Sequence, residues 1–256
     1  GLIFEHIDIG DTDFALRQKA ADPQIALNVA IDGPGRCDFE PDAHTARQAW
    51  QAPAHGEGGP DHQGDKTQSG RDRAEPGHHD VAALLESVKG LNVEMVIGIG
   101  GGSVLDVAKL LSVLCHPESS SLDAMLAGEK PLHRVASVLI PATAGTGSEA
   151  TPNAILAIPE QNTKVGIISP VLLPDYVALL PELTTSMPAH IASSTGIDAL
   201  CHLIECFTAT IANPISDNAA LIGLQKLLKN IETSVNEPNN LLAKLEMLWA
   251  SYYGGV

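Results

Sequence analysis

Three short segments hold residue types that can do chemistry. The first, GIGGGSVLDVAK at 98–109, has three consecutive glycines, Gly100, Gly101 and Gly102, followed by Ser103 and an apolar-periodic stretch. Glycines let backbone come close to a ligand, and a helix opening there offers N–H groups and the positive end of its dipole. A pyrophosphate suits such a cradle. Ser103 stands where a dinucleotide fingerprint has its third glycine, and no GK[ST] follows, so neither GxGxxG nor a Walker pattern is met. A purely structural glycine turn stays open on these residues alone, with Asp106 a helix-dipole residue and Lys109 a surface or packing residue.

The second segment, PATAGTGSEAT at 141–151, sets Thr143, Thr146 and Ser148 among small residues. Hydroxyls and bare N–H groups at the end of a strand suit phosphate or ribose oxygens, although an ordinary Gly/Thr loop reads the same way. In the third, STGIDALCHLIECF at 194–207, Asp198 and His202 are four apart. On a helix they share one face and can grip a single metal ion, or simply hydrogen-bond at the surface. The flanking Ile197, Leu200, Leu203 and Ile204 predict a largely buried helix, with Cys201 and Cys206 as small core residues.

The elements that must position these groups follow from periodicity. VEMVIGI at 93–99 is a nearly continuous apolar run bounded by glycines, as in a parallel strand buried on both faces. Helical spacing follows at 104–114, and VASVLI at 135–140 is a second strand ending at Pro141. With helical spacing at 81–88 before them, these elements spell a doubly wound α/β domain. Beyond about residue 187 only helices are predicted, at 189–209, 216–231 and 241–253.

The chain has 256 residues with 15 Lys+Arg against 31 Asp+Glu, a formal charge of −16. Nucleic acid and anionic membrane would be repelled, and neither is expected as a partner. No apolar run approaches the roughly 20 residues of a membrane span, and no signal peptide is read at the start. Four cysteines, Cys37, Cys115, Cys201 and Cys206, form neither CxxC nor a disulfide-dense pattern, so a cytoplasmic location is expected. Between residues 32 and 80 there is no Ile, Leu, Val or Met, yet five of the ten histidines, including His78 and His79, fall there. Such a stretch cannot bury enough area to offset chain entropy. Its histidine spacings match no metal-ligand template, which leaves a linker or a segment that is not native coding sequence. Reverse translation of 60–71, read one base later, allows an apolar run and then a basic turn, so residues 36–75 are expected to be frameshifted.

Together GGGSVLDVAK (100–109), ATAGTGSEAT (142–151) and GIDALCHLIE (196–205) resemble the iron-containing alcohol dehydrogenase family. Its superfamily also holds glycerol dehydrogenase and dehydroquinate synthase. The resemblance runs over residues 81–256 in motif order and spacing, and each motif is weak alone. It implies an α/β architecture: a Rossmann-like parallel-sheet NAD or NADP domain at 81–186, then a truncated all-α domain starting at 187–256, after an irregular region at 1–80. By match, Gly101, Gly102 and Ser103 hold pyrophosphate, Thr143, Thr146 and Ser148 line the cofactor cleft, and Lys164 contacts the cofactor. Asp198 and His202 match the first two ligands of Fe2+, with Zn2+ the alternative. The implied substrate is a small alcohol or aldehyde, and the full-length family allows a homo-oligomer. The family's two remaining ligand histidines would lie further along, so an inactive fragment with uncovered apolar faces is expected. A zinc polyol dehydrogenase and a non-catalytic nucleotide-binding remnant are the rival readings. The strand whose acidic residue faces the adenine ribose falls in the 32–80 window, leaving NAD against NADP unread.

From composition, limited proteolysis is expected to cut first near Arg47, Lys66, Arg71 or Arg73. Strong hydrogen-exchange protection across 32–80 is the opposite outcome.

Overall fold

Short apolar runs with no internal charge repeat become strands of one parallel sheet. In the computed structural model, which describes residues 25–30 and 77–256, VEMVIGIG forms β2 (Val93–Gly100), flanked by β1 (Ile25–Ala30) and β3 (Ala136–Pro141). β2 and β3 pair in parallel from Met95 opposite Ala136 to Gly100 opposite Pro141. β1 lies parallel along the other side of β2, inside the region 1–80 expected to be irregular. Helix α1 (His78–Ser87) likewise begins three residues before the expected boundary at Val81. The remainder of that window, with its four expected cleavage points and the frameshift reading, lies outside the described residues.

The sheet is built around α2 (Gly102–Leu114), in which every residue from Val104 to Val113 is buried. A helix apolar on all sides belongs inside a core, not on its surface. It lies so close to β2 that a Cβ at Gly98 would sit 2.6 Å from that of Ala108. The short helix α3 (Leu122–Leu126) buries Leu122 and Met125 beside it, its first turn capped by the Ser121 hydroxyl accepting the Ala124 N–H at 3.2 Å.

The sequence reading had no element between 152 and 187. There the chain makes an antiparallel hairpin, β4 (Asn153–Ile158) and β5 (Thr163–Ile168), turning through Asn162 at φ 47°. Alternation along β4 buries Ala154, Leu156 and Ile158. The two-residue strand β6 (Tyr176–Val177) then joins the outer edge of β3, giving the all-parallel order β1-β2-β3-β6. Asp175 holds that edge: it takes the Arg134 guanidinium, with Nη2 to Oδ1 at 2.8 Å, and the Ser137 N–H at 2.8 Å.

The second half is helical, as expected: α4 (Ala189–Thr208), α5 (Pro214–Asn236) and α6 (Leu241–Gly255). Asn213 caps α5, its side chain accepting the Ile215 and Ser216 N–H groups at 2.9 and 3.3 Å, and Pro214 supplies a first residue that needs no donor. The helices share a second core of Ala199, Leu203, Ala220, Leu227, Met247 and Leu248. Its seam uses small residues: a Cβ at Gly223 would meet Leu203 Cδ2 at 2.4 Å. That choice corrects the reading of α4 as largely buried. The close seam takes up one face only, leaving Ile197 and Ile204 about half exposed and Cys201 exposed. Ile211 and Ile215 also stand in solvent. Among the described residues no helix is long and apolar enough to cross a membrane.

Gly98→Ala should destabilise the fold by about 1–3 kcal/mol, because neither the strand nor α2 can retreat. Gly166→Ala meets nothing within 4 Å and should change stability by less than about 0.5 kcal/mol. Urea unfolding of both variants checks the contrast.

Candidate functional site

The glycine turn after β2 starts α2 without a side-chain cap. Gly101 is extended at φ −75°, ψ −179°, and its carbonyl receives the Val104 and Leu105 N–H groups at 3.0 and 3.1 Å. Those two bonds use the Gly101 carbonyl, and the Gly102 N–H precedes them at the N-terminal end of the helix. The loop leaving β3 runs beside this turn, joined to it by the Ala142 N–H donating to the Gly100 carbonyl at 2.8 Å. Side chains of that loop lie against the glycines. A Cβ at Gly101 would be in ordinary contact with Thr143 at 3.5 Å, and one at Gly102 would overlap Thr146 at 2.7 Å. Gly101, Gly102, Thr143 and Thr146 therefore come together, with Ser103 next in the same helical turn.

Ser148 and Lys164 differ from these in their surroundings. Ser148 is buried and its hydroxyl donates to Asp106 Oδ1 at 2.5 Å, within the protein rather than along an open cleft. Lys164 is exposed on β5, opposite Ala157 and one register pair from the hairpin's tip.

The loop's position is set by residues that the sequence reading left as dipole or packing groups. Lys109 is fully buried in the middle of α2. Its Nζ lies 2.9 Å from Asp106 Oδ1 and donates to the Ser148 carbonyl at 2.9 Å, to Thr151 Oγ1 at 3.1 Å, and to the Asn153 carbonyl. Asp106 in turn accepts the Ile155 N–H at 3.0 Å. Burial lowers the lysine's pKa, and Asp106 opposes that shift. One helix is thus bonded to the loop and to the hairpin at once. A signal was present in the sequence: Asp106 and Lys109, three apart, are the charged residues of an otherwise apolar helix, and such groups must find partners.

Glu149, next to Ser148, is buried too, and its Oε1 has no hydrogen-bond partner among the described residues. Burial pushes its carboxyl from an ordinary 4.5 to about 7.

Asp198 and His202 stand on one face of α4, Oδ1 to Nε2 at 4.0 Å, both partly exposed. The His202 Nδ1 lies 3.4 Å from the Gly145 carbonyl, a bond that turns Nε2 toward Asp198. Gly145 belongs to the loop after β3, where a Cβ would strike Thr195 of α4 at 2.9 Å. The same loop meets α6: the Gly147 N–H donates to Ser251 Oγ at 3.0 Å, and Gly147 itself has φ +61° with no room for a side chain. The glycine turn and the Asp/His pair therefore lie on two sides of one loop.

Comparison with known proteins places these features in a family. Residues 65–181 match the family described as iron-containing alcohol dehydrogenase, and residues 192–256 match the C-terminal part of the Fe-containing alcohol dehydrogenase family. Choline dehydrogenase of Bacillus subtilis is 37% identical over 174 residues, 67% of this chain and 43% of that one. Long-chain-alcohol dehydrogenase 1 of Geobacillus thermodenitrificans is 36% identical over 166 residues, 64% and 42% of the two chains. The sulfoacetaldehyde reductase of Bifidobacterium kashiwanohense, solved in complex with NAD+, aligns with a TM-score of 0.67 at 33% identity, covering 71% of this chain and 48% of its own. An iron-containing alcohol dehydrogenase from Thermotoga maritima gives 0.65 at 34% identity, with 71% and 49% covered. The chain spans less than half the length of these relatives.

A carboxyl whose folded pKa is raised favours folding below its unfolded pKa, and that advantage disappears as pH rises through the folded value. Glu149 therefore works against stability between about pH 4.5 and 7 and above. Glu149→Gln should match the wild type near pH 4.5 and exceed it by up to about 3 kcal/mol at pH 8. Urea denaturation at the two pH values reads the difference.

Proposed function

The chain belongs to the iron-containing alcohol dehydrogenase family, and from that premise we propose that it forms the cofactor- and metal-binding part of an oxidoreductase. The reaction would move hydride between NAD or NADP and a small alcohol or aldehyde. The observation that carries this reading is the pairing of the two loops. Gly101 and Gly102 open α2 directly against Thr143 and Thr146, at the adjacent C-terminal ends of two parallel strands. A pyrophosphate bound there would be met by the backbone at Gly102 and the positive end of the helix dipole, and the absent side chain at Gly101 leaves room for it. Thr143 and Thr146 would offer hydroxyls to the same ligand. Ser103 would add its backbone at the helix start. Lys164 would reach the cofactor from the hairpin, while Ser148 serves by fixing the loop through Asp106.

The Asp198 and His202 atoms fit a divalent ion. The two donor atoms are 4.0 Å apart, against about 3.4 Å for donors at roughly 2.1 Å from one tetrahedral ion, so a small side-chain rotation would close them on a metal, and the chemistry is a carboxylate with an imidazole. Held by this pair, Fe2+ or Zn2+ would supply Lewis acidity toward a carbonyl or alkoxide oxygen. What the chain itself contributes is orientation. The Gly145 carbonyl sets the His202 ring, and because Gly145 sits between Thr143 and Thr146 in sequence, any shift of the cofactor loop moves the metal ligand too. Two protein donors are half of the roughly four that a catalytic site uses, so affinity through this pair alone should be low and the metal should leave on dialysis.

Gly101→Ala separates ligand contact from folding, because its Cβ fits the structure as it stands. NADH titration by fluorescence should show affinity reduced by about tenfold or more, with an unchanged urea midpoint. Equal affinity in the variant would remove the cradle from the site. The double variant Asp198→Ala, His202→Ala should keep NADH binding and lose the weak Fe2+ or Zn2+ binding of this pair, read by calorimetric titration. If the unaltered chain binds NADH but takes up Fe2+ or Zn2+ no better than the double variant does, the non-catalytic nucleotide-binding reading replaces this one.

A further inference from the structure

A second group of metal-ligating side chains lies away from Asp198 and His202. His78 and His79 open α1, and Glu160 sits at the turn between β4 and β5, 81 residues from His79 in the chain. One ligand atom from each of the three lies within 4.8 Å of the others. We infer that His78, His79 and Glu160 form a site for a zinc-like divalent cation that clips the start of α1 to the tip of the β4–β5 hairpin.

The decisive atom is His78 Nδ1. It is buried and has no hydrogen-bond partner among the described residues, a costly state for a polar atom. It faces Glu160 Oε2 at 3.8 Å. That is too long for a hydrogen bond. It is close to the spacing of about 3.4 Å between two donors bound at roughly 2.1 Å to one tetrahedral zinc ion. His79 Nε2 lies 2.7 Å from Glu160 Oε1, so both imidazoles already converge on one carboxylate. Glu160 is exposed and can turn to share an ion among all three, with water completing the set. Two neutral imidazoles and a carboxylate are the donors that zinc prefers, and a chain of charge −16 draws cations toward it. A similar cluster of His116, Glu118 and His133 lacks this feature, because His116 Nδ1 already accepts the Glu118 N–H at 3.2 Å. It serves as the control.

The test uses the full chain carrying Asp198→Ala and His202→Ala, which removes the family-type ligands and keeps the two proposals apart. Stripped with chelator and titrated with Co2+, it should bind one equivalent with the intense visible absorption of a tetrahedral centre. Adding His79→Gln or Glu160→Ala, both at exposed positions, should weaken that binding by at least about tenfold, while His133→Ala should leave it unchanged. Zn2+ should displace the Co2+ signal. No tetrahedral Co2+ spectrum in the starting variant, or a spectrum indifferent to Glu160→Ala, overturns the site.

Discussion

An ammonium group with no solvent around it governs where every other part of the site can lie. Lys109 sits fully buried on a helix packed on all sides, and four oxygen acceptors close over its Nζ. Removing one partner of such a buried pair costs about 3–5 kcal/mol, because the survivor is left charged in an apolar place. The Ser148 carbonyl, Thr151 and the Asn153 carbonyl are therefore not free to drift. They belong to the loop after β3 and to the first residue of β4, so the demand for partners around Lys109 determines the path of both.

That anchored loop then lies between the glycine turn and the helical half. On one side Thr143 and Thr146 press against Gly101 and Gly102. On the other, Gly145 and Gly147 lie against α4 and α6 with no space for a side chain. Glycine here is dictated by close approach on both flanks and, at Gly147, by a left-handed backbone as well. The contacts with Thr195 and Ser251 and the bond to His202 make the α/β half and the helical half register on the same few residues. A family whose chemistry needs a nucleotide and a metal ion side by side can obtain the distance between them from the length of this loop.

The buried polar groups are not all equivalent. Asp106 and Lys109 neutralise each other and are hydrogen-bonded to backbone. Glu149 is buried beside them with one oxygen unpartnered, and burial raises its carboxyl to about 7. A satisfied ion pair on α2 thus lies beside a buried, half-partnered carboxyl in the loop two positions from Gly147, which places a pH-sensitive cost inside the element that joins the two halves. His78 shows the same kind of deficit at the start of α1, where a cation would relieve it.

Much of the architecture was legible in sequence because it depends on local period and on glycine. The run 93–99, the turn at 100–103 and the helix after it became β2, Gly101 and α2 within a residue or two, and three C-terminal helices appeared where their spacing put them. The motifs at Gly101, Thr143 and Asp198 also identified the family. What sequence did not show was pairing across distance. The β4–β5 hairpin has few residues per strand and gains its stability by covering α2, so its local pattern was faint. Ser148 reads in sequence like its neighbours Thr143 and Thr146, a hydroxyl among small residues; only the fold turns its hydroxyl to Asp106, 42 residues earlier. Lys109 read as either a surface or a packing residue because nothing local reveals that the helix is enclosed on every side. His78 and His79 matched no ligand spacing because their third partner is Glu160. Periodicity and backbone freedom are properties of neighbouring residues and can be read along the chain. Burial and convergence are properties of space, and they arise only when the folded chain excludes water from a charge and leaves it to find its partners among distant residues.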